Sequence, residues 1–351
     1  MSQHPVPGGG LAGVLDVAGR RVSVRRVVGS SDGRPVFADV VGVLEEVSAE
    51  SVVVRRRDGT VATVERASVV GARLVPAHPR QPASASYALS VPPDELERVA
   101  ARGWPGTEQG RVGEWLLRAG HGFTGRANAA LPIGDPGVPL TTAVSTVEQW
   151  YSERGLPARF QVPLVGSPPV DDLLAGLGYE PVDGAFVLVA DLLPLLGGPP
   201  GERTDPGGSV PEQLELRLDE RPDDGWLAQY HYRGGALPAD ARAVIEAGGP
   251  LAFASVRTRP GSGAGAGEVL AIARGAVSER WLGVTAVEVV TAARRRGLAT
   301  AMLLALSGWA EGLGALAAYL QVAAENEAAY QLYARAGFVE HHRYHYRRLT
   351  V

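Results

Sequence analysis

The sequence predicts a mixed α+β chain: a small all-β barrel followed by two tandem copies of one α+β domain, the second carrying the chemistry. Three observations support this. Residues 14–76 hold several short β-branched runs within about sixty positions. Two segments recur further along the chain at offsets of 160 and 159 residues. An alternating strand-like run, Val287-Glu288-Val289-Val290, turns into a helix through three arginines and a glycine.

A length of 351 residues suggests two or three domains with ample cores. The composition is globular, at 45% hydrophobic and 21% charged residues. Gly (45) and Pro (26) together make about a fifth of the chain, too little for wholesale disorder. All 34 basic residues are arginine, which reads as GC-rich coding. A net charge of −4 gives no general reason to expect a nucleic-acid partner. The absence of cysteine excludes disulfides, Cys-ligated metal and a cysteinyl acyl intermediate. Met1 to Gly10 lack a signal-peptide pattern and no run spans a bilayer, so the cytoplasm is the expected compartment.

Arg21–Val28, Val40–Leu44, Ser51–Arg55 and Thr60–Val64 read as strands, with Asp58-Gly59 as the hairpin turn between the last two. Four or five strands over 14–76 suggest an SH3-like barrel. Its arginines (Arg20, Arg21, Arg25, Arg26, Arg55, Arg56, Arg57) alternate with Glu45, Glu46, Glu50, Asp58 and Glu65. That pattern reads as a solvated face or domain contact rather than a nucleic-acid patch. Residues 77–90, with Pro79 and Pro82, read as a linker.

The stretch 91–194 mirrors the C-terminal part. Ala158-Arg159-Phe160-Gln161-Val162 matches Ala318-Tyr319-Leu320-Gln321-Val322 at an offset of 160, and Leu173–Tyr179 matches Leu332–Phe338 at 159. Ser167-Pro168, an N-cap followed by proline at the first helical position, sits where Asn326-Glu327 sits later. One duplicated domain is the simplest reading. Residues 195–212, rich in Gly and Pro, link it to the second copy, 213–351.

In that copy Leu214–Leu218 reads as a strand, and Trp226–Tyr232 and Ala239–Ala247 as helices. Leu251–Val256 and Val269–Ala273 pair across a surface loop, Gly261–Gly267, and Trp281–Val289 completes an antiparallel meander. In the helix that follows, Met302, Leu306, Trp309 and Leu313 form one buried stripe at i, i+4, i+7, i+11. The intervening turn aims free backbone N–H groups and the positive end of the helix dipole at one point, which favours a phosphate. Gly297 and Ala299 admit a ligand close to the backbone, and the arginines add charge. After the strand Ala318–Val322, Asn326 is a good N-cap and Gly337-Phe338 a helix stop.

The spacing Arg294-x-x-Gly297-x-Ala299 resembles the acyl-CoA pyrophosphate loop of the GNAT N-acetyltransferases. About thirty residues on, Asn326-x-x-Ala329-x-x-Leu332-Tyr333-x-x-x-Gly337-Phe338 resembles the second signature of that superfamily. With the module before it, the arrangement is similar to actinobacterial acetyltransferases that carry an SH3-like domain ahead of the GNAT part.

This resemblance implies tandem GNAT folds, the first degenerate and the second intact. It implies acetyl-CoA as co-substrate, no metal, and direct acyl transfer to the primary amine of a small molecule or peptide. It places the pantetheine arm along Val287, Glu288 and Val289, and the pyrophosphate on the backbone from Arg295 to Thr300. The expected cofactor site is thus Val287, Glu288, Val289, Arg294, Arg295, Arg296, Gly297, Leu298, Ala299, Thr300 and Asn326. Tyr333 matches the general acid that protonates the leaving thiolate. The base stays open between Glu288 and water; Gln321 stands where some relatives carry a base Glu, which favours water. At the matching place the first copy reads Gly134-Asp135-Pro136-Gly137-Val138-Pro139, with no arginine, a repelling acid and two prolines lacking N–H donors. Leu174 stands where Tyr333 stands. His341, His342 and His345 read as paired or exposed rather than as metal ligands.

Two other classes compete: a catalytically silent acyl-CoA-binding regulatory module, and a nucleic-acid-binding protein acting through the barrel. The intact Tyr333 argues against the first and the interspersed acids against the second. The sequence names neither the acceptor nor the oligomeric state.

Overall fold

The computed structural model describes residues 21–31, 34–56, 60–74, 86–165, 169–197, 210–231, 235–259 and 267–349. The chain divides into two units, residues 1–84 and 85–351.

In the first unit, β1 (Arg21–Ser31), β2 (Arg34–Val47), β3 (Ser51–Arg55), β4 (Val61–Glu65) and β5 (Val69–Leu74) form one antiparallel sheet in the order β4-β3-β2-β1-β5. Alternation puts Val22, Val24, Val52 and Val54 on one face, where they are fully buried with Leu44 and Val64. The sequence predicted a closed barrel; among the described residues the sheet is open. Its edge strands β4 and β5 are joined by a 3-10 turn, Arg66–Ser68, whose Arg66 N–H bonds Glu50 O rather than the opposite edge. The predicted turn Asp58-Gly59 lies outside the described residues, although β3 and β4 pair antiparallel on either side of it. The arginine face carries exposed ion pairs, Arg25–Asp39 at 2.8 Å and Arg55–Glu45 at 2.5 Å.

The second unit begins with α1 (Tyr87–Ser90), α2 (Pro93–Gly103), the hairpin β6 (Glu108–Val112) and β7 (Trp115–Ala119), α3 (Leu140–Ser152), β8 (Arg159–Pro163), α4 (Pro169–Gly176), β9 (Tyr179–Asp191) and α5 (Leu192–Leu195). It continues with β10 (Leu214–Asp219), α6 (Asp224–Gln229), α7 (Ala241–Ile245), β11 (Leu251–Thr258), β12 (Val269–Ser278), β13 (Trp281–Val289), α8 (Leu298–Gly312), β14 (Ala317–Ala323), α9 (Glu327–Arg335) and β15 (Val339–Leu349). Helix α6 starts before the predicted Trp226 because Asp223 caps it, accepting from Trp226 N at 2.8 Å, and it stops where Tyr230 turns extended. The loop residues 261–266 and the predicted cap Ser167-Pro168 fall outside the described residues.

A single eight-stranded sheet runs β10-β11-β12-β13-β14-β9-β15-β8. Segments 91–194 and 213–351 therefore share one sheet. Strand β9 of the earlier segment lies between β14 and β15 of the later one, and β15 lies between β9 and β8. Strand alternation builds a core on each face: Leu188, Ala318, Leu320 and Val322 pack under α8, while Val187, Val189, Ala317 and Tyr319 face α1 and α2. In α8, Met302 and Leu306 are fully buried, but Leu313, predicted to extend the stripe, follows the last helical residue and is 49% exposed. Arg274 ties the two segments together from inside the core. Its guanidinium donates to Gly103 O at the end of α2, and to Ile245 O and Ala247 O at the end of α7, where helix dipoles favour a cation. Burial lowers its pKa to about 10.

Strands β13 and β14 position the site. They pair in parallel only from Trp281–Ala317 to Val284–Leu320 and then separate. A bulge at this point, with Ala286 at φ +51°, re-aims the rest of β13, which stays paired with β12 through Glu288–Ile272 and Val289–Ala271. Among the described residues, the other edge of β13 has no strand partner beyond Val284.

Candidate active site

The turn after β13 is set by local chemistry. Arg294 is extended, and its Nε donates to Val289 O at 3.2 Å, holding the turn against the strand. Arg295 and Gly297 both take left-handed backbone conformations, at φ +59° and +76°. Left-handed residues set among others turn successive N–H groups toward one side, as in an anion-binding nest. Gly297 is the N-cap of α8 and supplies no side-chain cap. Among the described residues, the N–H groups from Arg295 to Thr300 have no acceptor. Uncapped donors at the start of a fifteen-residue helix attract an anion. A Cβ added at Gly297 would meet nothing within 4 Å, so the positive φ and not crowding makes glycine favourable there.

Helix α9 supplies the opposite wall. Asn326 caps it, accepting from Ala329 N at 3.1 Å, and Gly337 ends it at φ +96°. Tyr333 is buried in the main core and packs on Phe338 at a ring distance of 5.8 Å. Its hydroxyl has no hydrogen-bond partner among the described residues, and burial pushes the phenol pKa up to about 12, so it stays protonated as a donor.

A cleft of about 910 Å³ brings these parts together. Val287, Glu288, Val289, Arg294, Arg295, Gly297, Leu298, Ala299, Thr300, Asn326 and Tyr333 all line it. Arg296, named with them from the sequence, is exposed and does not. The lining also includes residues that the motifs did not single out: Ala293, Ala328, Arg335, Ala336 and His231. Asn326, Ala329, Tyr333 and Ala336 follow the helical spacing of α9, so that wall was readable. His231 was not. It follows α6, 57 residues before Glu288, yet its N–H donates to Glu288 Oε1 at 2.8 Å and its Nδ1 lies 3.1 Å from Oε2.

The corresponding loop in the first segment is already bonded to carboxylates. Asp135 N donates to Glu114 Oε2 at 2.7 Å and Gly137 N to Asp135 Oδ1 at 2.8 Å. Pro136 and Pro139 have no N–H to offer. Leu174, in the place of Tyr333, is fully buried and carries no hydroxyl. The terminal histidines are paired: His342 with the buried Glu97 at 3.0 Å and His345 with Asp171 at 2.8 Å.

Comparison with known proteins gives a consistent picture. The family profile described as "Probable histone acetyltransferase Rv0428c C-terminal" matches residues 94–347. The chain is 34% identical over 338 residues to "Probable histone acetyltransferase Rv0428c" of Mycobacterium tuberculosis, covering 93% of this chain and 94% of that protein. It is 28% identical over 257 residues to "Uncharacterized N-acetyltransferase YobR" of Bacillus subtilis, covering 72% of this chain and 97% of that protein. Among solved structures, a GCN5-related N-acetyltransferase from Kribbella flavida shares the fold, with a TM-score of 0.52 at 15% identity over 74% of this chain and 95% of the other.

Proposed function

The chain is an acetyltransferase belonging to the GNAT family of N-acetyltransferases, and from that premise we propose that it moves an acetyl group from acetyl-CoA directly to a primary amine in the cleft between β13 and α9. The observation that carries this reading is the convergence on one cleft of the uncapped start of α8, the edge of β13 that lacks a strand partner, and Tyr333. The N–H groups from Arg295 to Thr300, with Arg294 and Arg295, suit the pyrophosphate. The free edge of Val287, Glu288 and Val289 suits the amide-bearing pantetheine arm, which would pair with it as a strand does. Asn326 stands beside that arm. The transfer proceeds by attack of the amine nitrogen on the thioester carbonyl carbon. A backbone N–H of β13 polarises the carbonyl, and Tyr333 protonates the sulfur as the C–S bond breaks.

We read residues 91–194 as a degenerate GNAT copy that no longer binds the cofactor, since carboxylates and prolines have replaced its anion donors. We read the N-terminal sheet as an SH3-like module without a nucleic-acid role, acting in the cytoplasm. The acceptor is a small-molecule or peptide amine; the name of the mycobacterial relative adds a histone-like protein to the candidates. The test is thiol release from acetyl-CoA with a panel of spermidine, kanamycin and a lysine-rich histone tail peptide. Release above the hydrolysis background with an amine supports the reading. A protein that neither binds nor consumes acetyl-CoA contradicts it.

A further inference from the structure

We infer that His231 is the base that deprotonates the acceptor amine, with Glu288 as its positioning residue; this rests on the transferase reading above. Glu288 is the acid of the cleft-lining strand, but one residue occupies both its oxygens: the His231 N–H holds Oε1 at 2.8 Å and His231 Nδ1 faces Oε2 at 3.1 Å. A carboxylate only accepts, so Nδ1 carries the imidazole proton and Nε2 holds the lone pair. Nε2 has no partner among the described residues, and the His231 side chain is half-exposed while lining the same cleft as Tyr333. Glu288 thus fixes the ring in two ways, through the backbone and through the ring, and its charge stabilises the imidazolium that forms on proton uptake. The other charged groups facing the cleft are Arg294 and Arg295 from the turn and Arg335 from α9, all cationic; Tyr333 is the remaining titratable side chain.

The step balances. The acceptor ammonium gives one proton to Nε2, which passes it to solvent. The freed lone pair forms the C–N bond. The C–S electron pair leaves with sulfur, which takes the Tyr333 proton, and the second proton lost by the nitrogen restores the phenol through water. One amide, one thiol and one released proton result.

A purely structural His231–Glu288 tether would predict a loss of stability without a change in proton chemistry. The experiment compares the full chain with His231→Gln and Glu288→Gln. Thiol release is followed from about pH 5.5 to about pH 9.5, with the best amine of the panel or with water if none is used, and acetyl-CoA affinity is measured by calorimetry. In His231→Gln, kcat should fall about 10²–10⁴-fold and the acidic limb of the profile should vanish. Its acetyl-CoA Kd should stay within about twofold. In Glu288→Gln kcat should fall by a smaller factor than in His231→Gln while the acidic limb persists, because the ring keeps its base nitrogen and loses only its anchor. A His231→Gln variant that keeps the wild-type acidic limb overturns the inference and leaves the transferase reading standing. A wild type without acetyl-CoA binding overturns both.

Discussion

Gln161 and Gln321 stand 160 residues apart and hold equivalent places in one sheet: Gln161 pairs with Tyr346, Gln321 pairs with Val187, and those partners are 159 residues apart. The pairings repeat the two offsets of the sequence, 160 and 159, within the register of the ladders. The last strands of the two segments have thus changed places, so that β9 completes the later segment and β15 the earlier one.

Strand exchange makes the two halves of the second unit mutually dependent. Residues 210–351 alone would leave facing edges of β14 and β15 unpaired and remove Leu188 and Ala190 from the main core. That fragment should be insoluble or lack a cooperative melting transition, and co-expression with 85–197 should restore both solubility and acetyl-CoA binding. Circular dichroism showing a cooperatively folded 210–351 fragment would refute the interdependence.

Asp171 of α4 clamps Arg347 of β15 at 2.8 and 2.9 Å and also meets His345, joining an earlier helix to the last strand. The hydrogen bond from Arg347 is the chief cause holding its carboxyl below the usual carboxylate range. A depressed carboxyl stabilises the fold above its unfolded pKa of about 4, and that contribution is lost as pH falls through the lower, folded value. Asp171→Asn should cost about 1.5–3 kcal/mol at neutral pH, the range for hydrogen bonds to charged groups. Thermal melts should show the gap closing as pH drops below about 4; a gap independent of pH would show that the charge is not what matters.

For Tyr333, the free hydroxyl and the protonated state set by burial predict a chemical rather than a binding role. Tyr333→Phe should lower kcat about 10²–10⁴-fold and leave the acetyl-CoA Kd nearly unchanged. Unaltered turnover would make the residue a core aromatic.

Deleting residues 1–84 should leave acetyl-CoA affinity intact, because every residue lining the cleft lies beyond that unit. The full chain should show no tight, salt-sensitive binding to DNA in a titration at rising ionic strength. Such binding, lost on truncation, would give the arginines of the N-terminal sheet a nucleic-acid role.

The ends of the last helix were legible in the sequence because glycine and asparagine announce backbone conformations: Gly337 is left-handed and Asn326 caps the helix, as predicted, whereas Gly297 read only as a place of close approach and is in fact a left-handed N-cap. Strand exchange left no trace there, since β9 and β15 show the same alternation whichever partner they choose. His231 was invisible for a related reason: its partner Glu288 is brought to it by the bulge in β13, and no local spacing records a contact across 57 residues. Arg296 differs: it belongs to the same run of exposed arginines and sits between two left-handed residues, yet it does not line the cleft, and the spacing of the run carries no signal that separates it from Arg294 and Arg295.

The most direct test of the account is a calorimetric titration of acetyl-CoA into the full chain and into Gly297→Asp. The carboxylate of the variant would face the donors meant for the pyrophosphate, in a backbone conformation that also costs a non-glycine residue about 1–2 kcal/mol. One site per chain in the wild type, and binding abolished or weakened at least about a hundredfold in the variant, is the expected result. Two sites per chain, or binding that survives Gly297→Asp, would contradict a single cofactor cleft at the start of α8.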